Sequence, residues 1–186
     1  MGFDPNGMDR VNQFALVTYI PDPLGRFLDD LRLELAPDCR PHAHVSVLPP
    51  RPLSAPWQIV CEEARALAGE FAPFEVEAGE PAIFPATDVI YLELIRGADE
   101  VRHLHQALSR GQLAFDEPYP FHPHITLVQG VPTDTLPGYF EMASRRWREY
   151  TGPRHFLVDK TVFVQNTAQS CWLDLAELSL GAVPVP

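Results

Sequence analysis

The sequence predicts an α+β fold, with helices packed on largely antiparallel sheets in two pseudo-symmetric lobes that share a central cleft. Three observations predict it. Short β-branched and aromatic runs alternate with segments whose apolar residues recur at helical spacing. The order strand, helix, strand, helix, strand occurs twice. Each copy carries one pattern at its second strand, "PHAHVSVL" at 41–48 and "FHPHITLV" at 121–128, so that His44 and His124 are 80 residues apart.

The elements follow in order. "FALVTYI" (14–20) is β-branched and aromatic and is closed by Pro21, which predicts a strand. In "DPLGRFLDDLRLELA", Leu24, Phe27, Leu28, Leu31 and Leu35 recur every three or four residues, which predicts a helix. Its charged residues, Asp29 and Arg32 among them, read as a solvated face. "PHAHVSVLPP" (41–50) alternates and is ended by Pro49-Pro50, a strand. "SAPWQIVCEEARALAG" (54–69) is a helix with Ser54 as N-cap, Glu62 and Glu63 in solvent and Gly69 as stop. "FEVEAGE" and "DVIYLELI" (88–95) are strands, the second resembling "FALVTYI". The helix "ADEVRHLHQALSR" is stopped by Gly111, and the strand "PHITLV" (123–128) follows. In "DTLPGYFEMASRRWREY", Pro137 confines the helix to 138–150. "HFLVDKTVFVQ" and "CWLDLAEL" close the chain as two strands. No linker separates the halves, about 10–80 and 85–180, so one bilobal domain spans 1–186.

Bulk properties narrow the function. With 186 residues the chain can bury roughly 70% of its unfolded surface and needs no disulfide or metal to fold. Its 20 prolines lie mostly between apolar runs and read as rigid loops. Cys39, Cys61 and Cys171 are odd in number and far apart, which fits a reducing compartment. The N-terminus lacks the basic and apolar regions of a signal peptide, and no apolar run is long enough to span a membrane, so the cytoplasm is expected. A net charge of −11 argues against a broad grip on a nucleic-acid backbone. A small anion, or one end of an RNA, can still be held in a local pocket.

The paired pattern reads His-x-His-ø-Ser/Thr-ø, where ø is aliphatic. Side chains alternate along a strand, so His44 and Ser46 share one face and His124 and Thr126 share another. The aliphatic spacers Val45, Val47, Ile125 and Leu127 point to the core. A single His-x-Ser/Thr is weak evidence. Two copies on equivalent strands of an internal repeat are strong evidence.

On these residues the chain resembles the 2H phosphoesterase superfamily, also called the 2'-5' RNA ligase or cyclic phosphodiesterase family. The resemblance covers most of the chain, including "LPPRPL" after the first motif. It implies two pseudo-symmetric lobes with one motif from each lining a cleft, and His44, Ser46, His124 and Thr126 as the catalytic four. Ser46 stands where threonine is commoner in the family, and it keeps the hydroxyl.

The chemistry explains the residue types. Opening a cyclic phosphodiester needs one group to take a proton from water and another to give one to the leaving oxygen. Two imidazoles on opposite sides of one phosphorus can do both. The hydroxyls can donate hydrogen bonds to the charge that grows on the non-bridging oxygens. Neither metal nor cofactor is implied. Which histidine is acid and which is base is left open.

Other candidates surround the motifs. His42 and His122 precede them by two residues and would share their faces. With His44 and His124 they could bind zinc, but Pro41 and Pro123 place them at strand starts, and a metal leaves the hydroxyls unexplained. Arg51 could pair with a phosphate or lie in solvent. Phe115, Tyr119 and Phe121 could stack a base or pack in the core. His103 and His105, two apart on a helix, read as surface residues, and His155 has no companion. The partner expected is a small nucleotide or an RNA terminus carrying a cyclic or 2'-5' phosphodiester. A nucleotide-binding module without turnover is the alternative, and a His-x-His metal protein is a weaker one.

Overall fold

The computed structural model describes residues 9–36 and 42–181. Cys39 and Pro41 lie outside them. The strands are β1 (Arg10–Tyr19), β2 (His44–Arg51), β3 (Phe74–Phe84), β4 (Val89–Arg96), β5 (His124–Val128), β6 (His155–Val158), β7 (Lys160–Thr167) and β8 (Trp172–Ser179). The helices are α1 (Leu24–Leu35), α2 (Trp57–Ala68), α3 (Ala98–Leu108) and α4 (Leu136–Glu149). No helix among the described residues is long and apolar enough to cross a membrane.

The α+β class and the antiparallel pairing are as expected, but the strands form one sheet instead of two. Its order is β6-β3-β4-β5-β2-β1-β7-β8. The motif strands β2 and β5 are neighbours at its centre, joined by the single registered pair Val45↔Ile125. Outward from β2 lie β1, β7 and β8; outward from β5 lie β4, β3 and β6. The halves therefore exchange strands: β3 of the first pairs with β4 of the second, and β7 of the second returns to β1 of the first.

Alternation sorts the two faces of this sheet. Val45, Val47, Ile125 and Leu127 are at most 1% exposed and join one core with the buried sides of all four helices. That core includes Leu28 and Leu31 from α1, Ala64 from α2, Leu104 from α3 and Trp147 from α4. A smaller apolar group, Ala15, Val17, Val162 and Val164 with Tyr19 and Trp172 against it, is separate from the main core.

Several boundaries differ from expectation, each for a physical reason. β2 runs through Pro49-Pro50 to Arg51. Its registered pairing with β5 is at Val45, so prolines at its far end break no ladder on that side. Ser54 does not cap α2; Pro56 stands at that position, and the Ser54 hydroxyl donates to the Gln112 carbonyl. Pro137 lies inside the first turn of α4, where its missing N–H costs nothing. "HFLVDKTVFVQ" is two strands broken at Asp159, and they pair at opposite sides of the sheet, β6 with β3 and β7 with β1. His105 is buried, with Nδ1 2.9 Å from the Val47 carbonyl, while its neighbour His103 is exposed.

Candidate active site

The register builds the site. Val45 and Ile125 face each other with their side chains in the core. Carrying that antiparallel register one residue either way sets His44 across from Thr126 and Ser46 across from His124, all four on the opposite face. All four are partly exposed. The two histidines are diagonal neighbours, a relation of roughly 7–8 Å in an antiparallel pair and within reach of long side chains. Protonation of His124 opposes protonation of His44, so the rings sense each other's charge.

Both imidazoles are held in the same way. His44 Nδ1 lies 2.6 Å from the His42 carbonyl oxygen, and His124 Nδ1 lies 2.7 Å from that of His122. A carbonyl only accepts, so each Nδ1 carries the proton and donates it, leaving the lone pair of the neutral ring on Nε2. Burial holds the His44 pKa down at about 4, and the nearby Arg32 and His124 charges push the same way. The His42 carbonyl bond and Asp29 pull it upward without overcoming that. Burial lowers the His124 pKa as well, against the pull of the His122 carbonyl.

The flanking strands add groups that sequence reading did not find. On β1, Val17 pairs with Ser46 and Tyr19 with His44; on β4, Tyr91 pairs with Thr126 and Glu93 with His124. Paired residues share a face, so Tyr19, Tyr91 and Glu93 stand beside the quartet. The Tyr19 hydroxyl donates to Asp174 at 2.6 Å, and that of Tyr91 reaches Glu93 at 3.3 Å. Burial and the neighbouring carboxylate raise both phenols' pKa, so neither acts as a base near neutrality. Phe84 stacks on Tyr91 at 3.8 Å, and both present edges to His122 and His124. The pairing of β1 with β2 and of β4 with β5 brings Tyr19, Tyr91 and Glu93 there, and no local pattern in the sequence reports that pairing.

The remaining candidates are placed differently. Arg51 is 2% exposed; its guanidinium donates to the Leu113 carbonyl and to Glu117. Arg51 is thus buried and paired, not the solvated loop arginine that was the alternative to a phosphate ligand. Phe121 stacks on buried His105 at 3.7 Å, so its ring already has a partner. Tyr119 is 60% exposed, in the segment that leads into β5. The His42 ring is outside the quartet, with Nδ1 2.8 Å from Asp29 Oδ2. The His122 ring packs against Phe84 and Tyr91.

The model of the 2'-5' RNA ligase superfamily matches residues 20–169, most of the chain and both motifs. The chain belongs to that superfamily. Among solved structures, this superfamily member is similar in fold to Escherichia coli LigT complexed with phosphate, with a TM-score of 0.60 and 15% identity over 93% of this chain and 99% of that one. It is likewise similar to TT0787 of Thermus thermophilus, with a TM-score of 0.62 and 18% identity over 91% and 98%. A protein of Oceanobacillus iheyensis, provisionally named a phosphoesterase, is 32% identical over 74 residues, 39% of this chain and 43% of its own. The chain spans about half the length of the curated relatives it matches.

Proposed function

We propose that this chain is a 2H-type phosphoesterase that acts, without a metal, on a 2',3'-cyclic phosphate or 2'-5' phosphodiester of a small nucleotide or an RNA end. The observation that carries this reading is the symmetric commitment of both Nδ1 atoms to backbone carbonyls beside two hydroxyls. In this reading two imidazole Nε2 atoms and two O–H donors serve one phosphorus, with a nucleophile on one side and a leaving oxygen on the other. A zinc site would account for the imidazoles but not for Ser46 and Thr126.

In the forward direction the neutral imidazole takes a proton from water as its oxygen bonds to phosphorus. The imidazolium gives its Nε2 proton to the ribose oxygen as that P–O bond breaks. Ser46 and Thr126 donate to the non-bridging oxygens. Phe84, Tyr91 and His122 form an aromatic wall beside His124 that suits a nucleoside. LigT, whose fold is similar, has been crystallised with phosphate, 3'-AMP, ATP and NADP+, which supports a small nucleotide as partner.

The test is a panel of 2',3'-cyclic nucleotides, cyclic-phosphate-ended RNA and 2'-5' dinucleotides assayed with EDTA. Turnover of at least one member is expected. Binding without turnover across the panel would leave a nucleotide-binding module in its place, and activity abolished by EDTA and restored by zinc would replace the acid–base mechanism.

A further inference from the structure

We propose that Asp29 is a positioning residue for His44, acting through the peptide unit between His42 and Ala43; this rests on the phosphoesterase reading above. Asp29 lies on α1, and its two carboxylate oxygens have different uses. Oδ1 accepts the Ala43 N–H at 2.6 Å, and Oδ2 accepts the His42 Nδ1–H at 2.8 Å. The Ala43 N–H and the His42 carbonyl belong to one planar peptide unit. Its N–H end is gripped by Asp29, and its carbonyl end accepts the His44 Nδ1–H. The carboxylate therefore sets the plane of the group that fixes the His44 ring and tautomer. It also polarises that carbonyl, because hydrogen bonds in a chain strengthen one another.

The second motif cannot be wired this way. The carbonyl that holds His124 belongs to the peptide between His122 and Pro123, and proline has no N–H to offer a carboxylate. Two imidazoles alike in every local bond are thus made chemically unequal by one position, Ala43 against Pro123. The charged and titratable groups around His44 are Asp29 and Arg32 from α1, His42 at the entry to β2, Tyr19 from β1 and His124 from β5. Asp29 is the carboxylate among them that favours the charged imidazole.

The experiment compares wild type with Asp29→Asn and Asp29→Glu. Asparagine keeps an oxygen for the Ala43 N–H, so the fold is expected to survive, while the charge and the His42 acceptor are lost. For Asp29→Asn, kcat on a panel substrate is expected to fall about 10-fold with KM little changed, the lower end of the scale known for hydrogen-bond partners that orient metal-ligating histidines. Asp29→Glu is expected to recover part of that loss. Nitrogen-15 NMR is expected to show the His44 titration midpoint lowered in Asp29→Asn and that of His124 unmoved. Equal movement of both histidines, or an unchanged His44 with wild-type kcat, would overturn the proposal. The NMR arm needs no turnover. A wild-type protein inactive on every substrate, with His44 alone shifted by Asp29→Asn, would refute the phosphoesterase reading and leave the positioning role standing.

Discussion

His44 and His124 each give Nδ1 to a carbonyl two residues back, which leaves Nε2 for the proposed chemistry. Burial is the largest influence on both, and it favours the neutral ring. The sign of the pH dependence follows. The active form in the proposed mechanism needs one neutral and one charged imidazole, and with both pKa values held below the ordinary 6.5 that form is populated only in mildly acidic solution. A bound phosphodiester brings a negative charge that favours the imidazolium and raises both values. The profile of kcat/KM, which reports the free enzyme, is therefore expected to turn down below pH 6.5 on its alkaline side. The kcat profile, which reports the complex, is expected to turn down at higher pH. Steady-state rates from about pH 4 to 8 check this, and coincident alkaline limbs would contradict it. The motif residues were legible in the sequence because a period of two and an internal repeat fix them. Asp29 was not: it sits among charges that read as a solvated helix face, and only the tertiary approach of α1 to residues 42 and 43 gives it a task.

At the scale of elements, the segment that leads into β5 is pinned to the end of β2. Arg51 holds the Pro49 and Leu113 carbonyls and Glu117, with its charge 5.7 Å from the centre of the Phe115 ring. His105 stands 3.6 Å from the same Glu117 carboxylate and stacks on Phe121. The Arg51 side chain is 1% exposed and that of Glu117 15%, so removing one partner strands the other in a poorly solvated place. Breaking such a pair costs about 3–5 kcal/mol, against near zero for most surface pairs. Arg51→Ala is expected to lower the melting temperature by roughly 10 °C, at a few degrees per kcal/mol for a chain of this size. Thermal unfolding followed by circular dichroism checks it, and a melting point within a degree or two of wild type would show the pair to be incidental. Sequence placed the strands and helices well where periodicity was long, as in α1 and β4. It could not separate a phosphate-binding arginine from a buried one, because the partner Glu117 lies 66 residues away. It also joined β6 to β7, since two apolar runs separated only by Asp159 read as one while the pairing partners change.

At the scale of the whole molecule, the repeat folds into one sheet in which the first half lends β3 to the second and the second lends β7 and β8 to the first. The exchange places both motif strands side by side at the centre, where two sets of polar residues meet across a single registered pair. Sequence showed the repeat and the shared faces. It did not show that the sheet is continuous, because strand order depends on contacts such as β1 with β7 that are remote in the chain. The proposed anion site has a thermodynamic consequence. Inorganic phosphate that binds only the folded form at 100 times its dissociation constant adds about 2.7 kcal/mol of stability. That corresponds to a rise in melting temperature of about 5–10 °C. The rise is expected in wild type, is reduced in Thr126→Ala, and is absent with chloride at equal ionic strength; equal effects of the two salts would deny a specific site. The central claim is that the two histidines serve one phosphodiester, and kcat/KM for His44→Ala, His124→Ala and the double variant tests it most directly. Each single change is expected to lose about 10²- to 10⁴-fold with the fold intact. The double variant is expected to lose far less than the product of the two, as residues acting as a unit do. Near-wild-type activity in either single variant, or fully multiplicative losses in the double, would contradict the account.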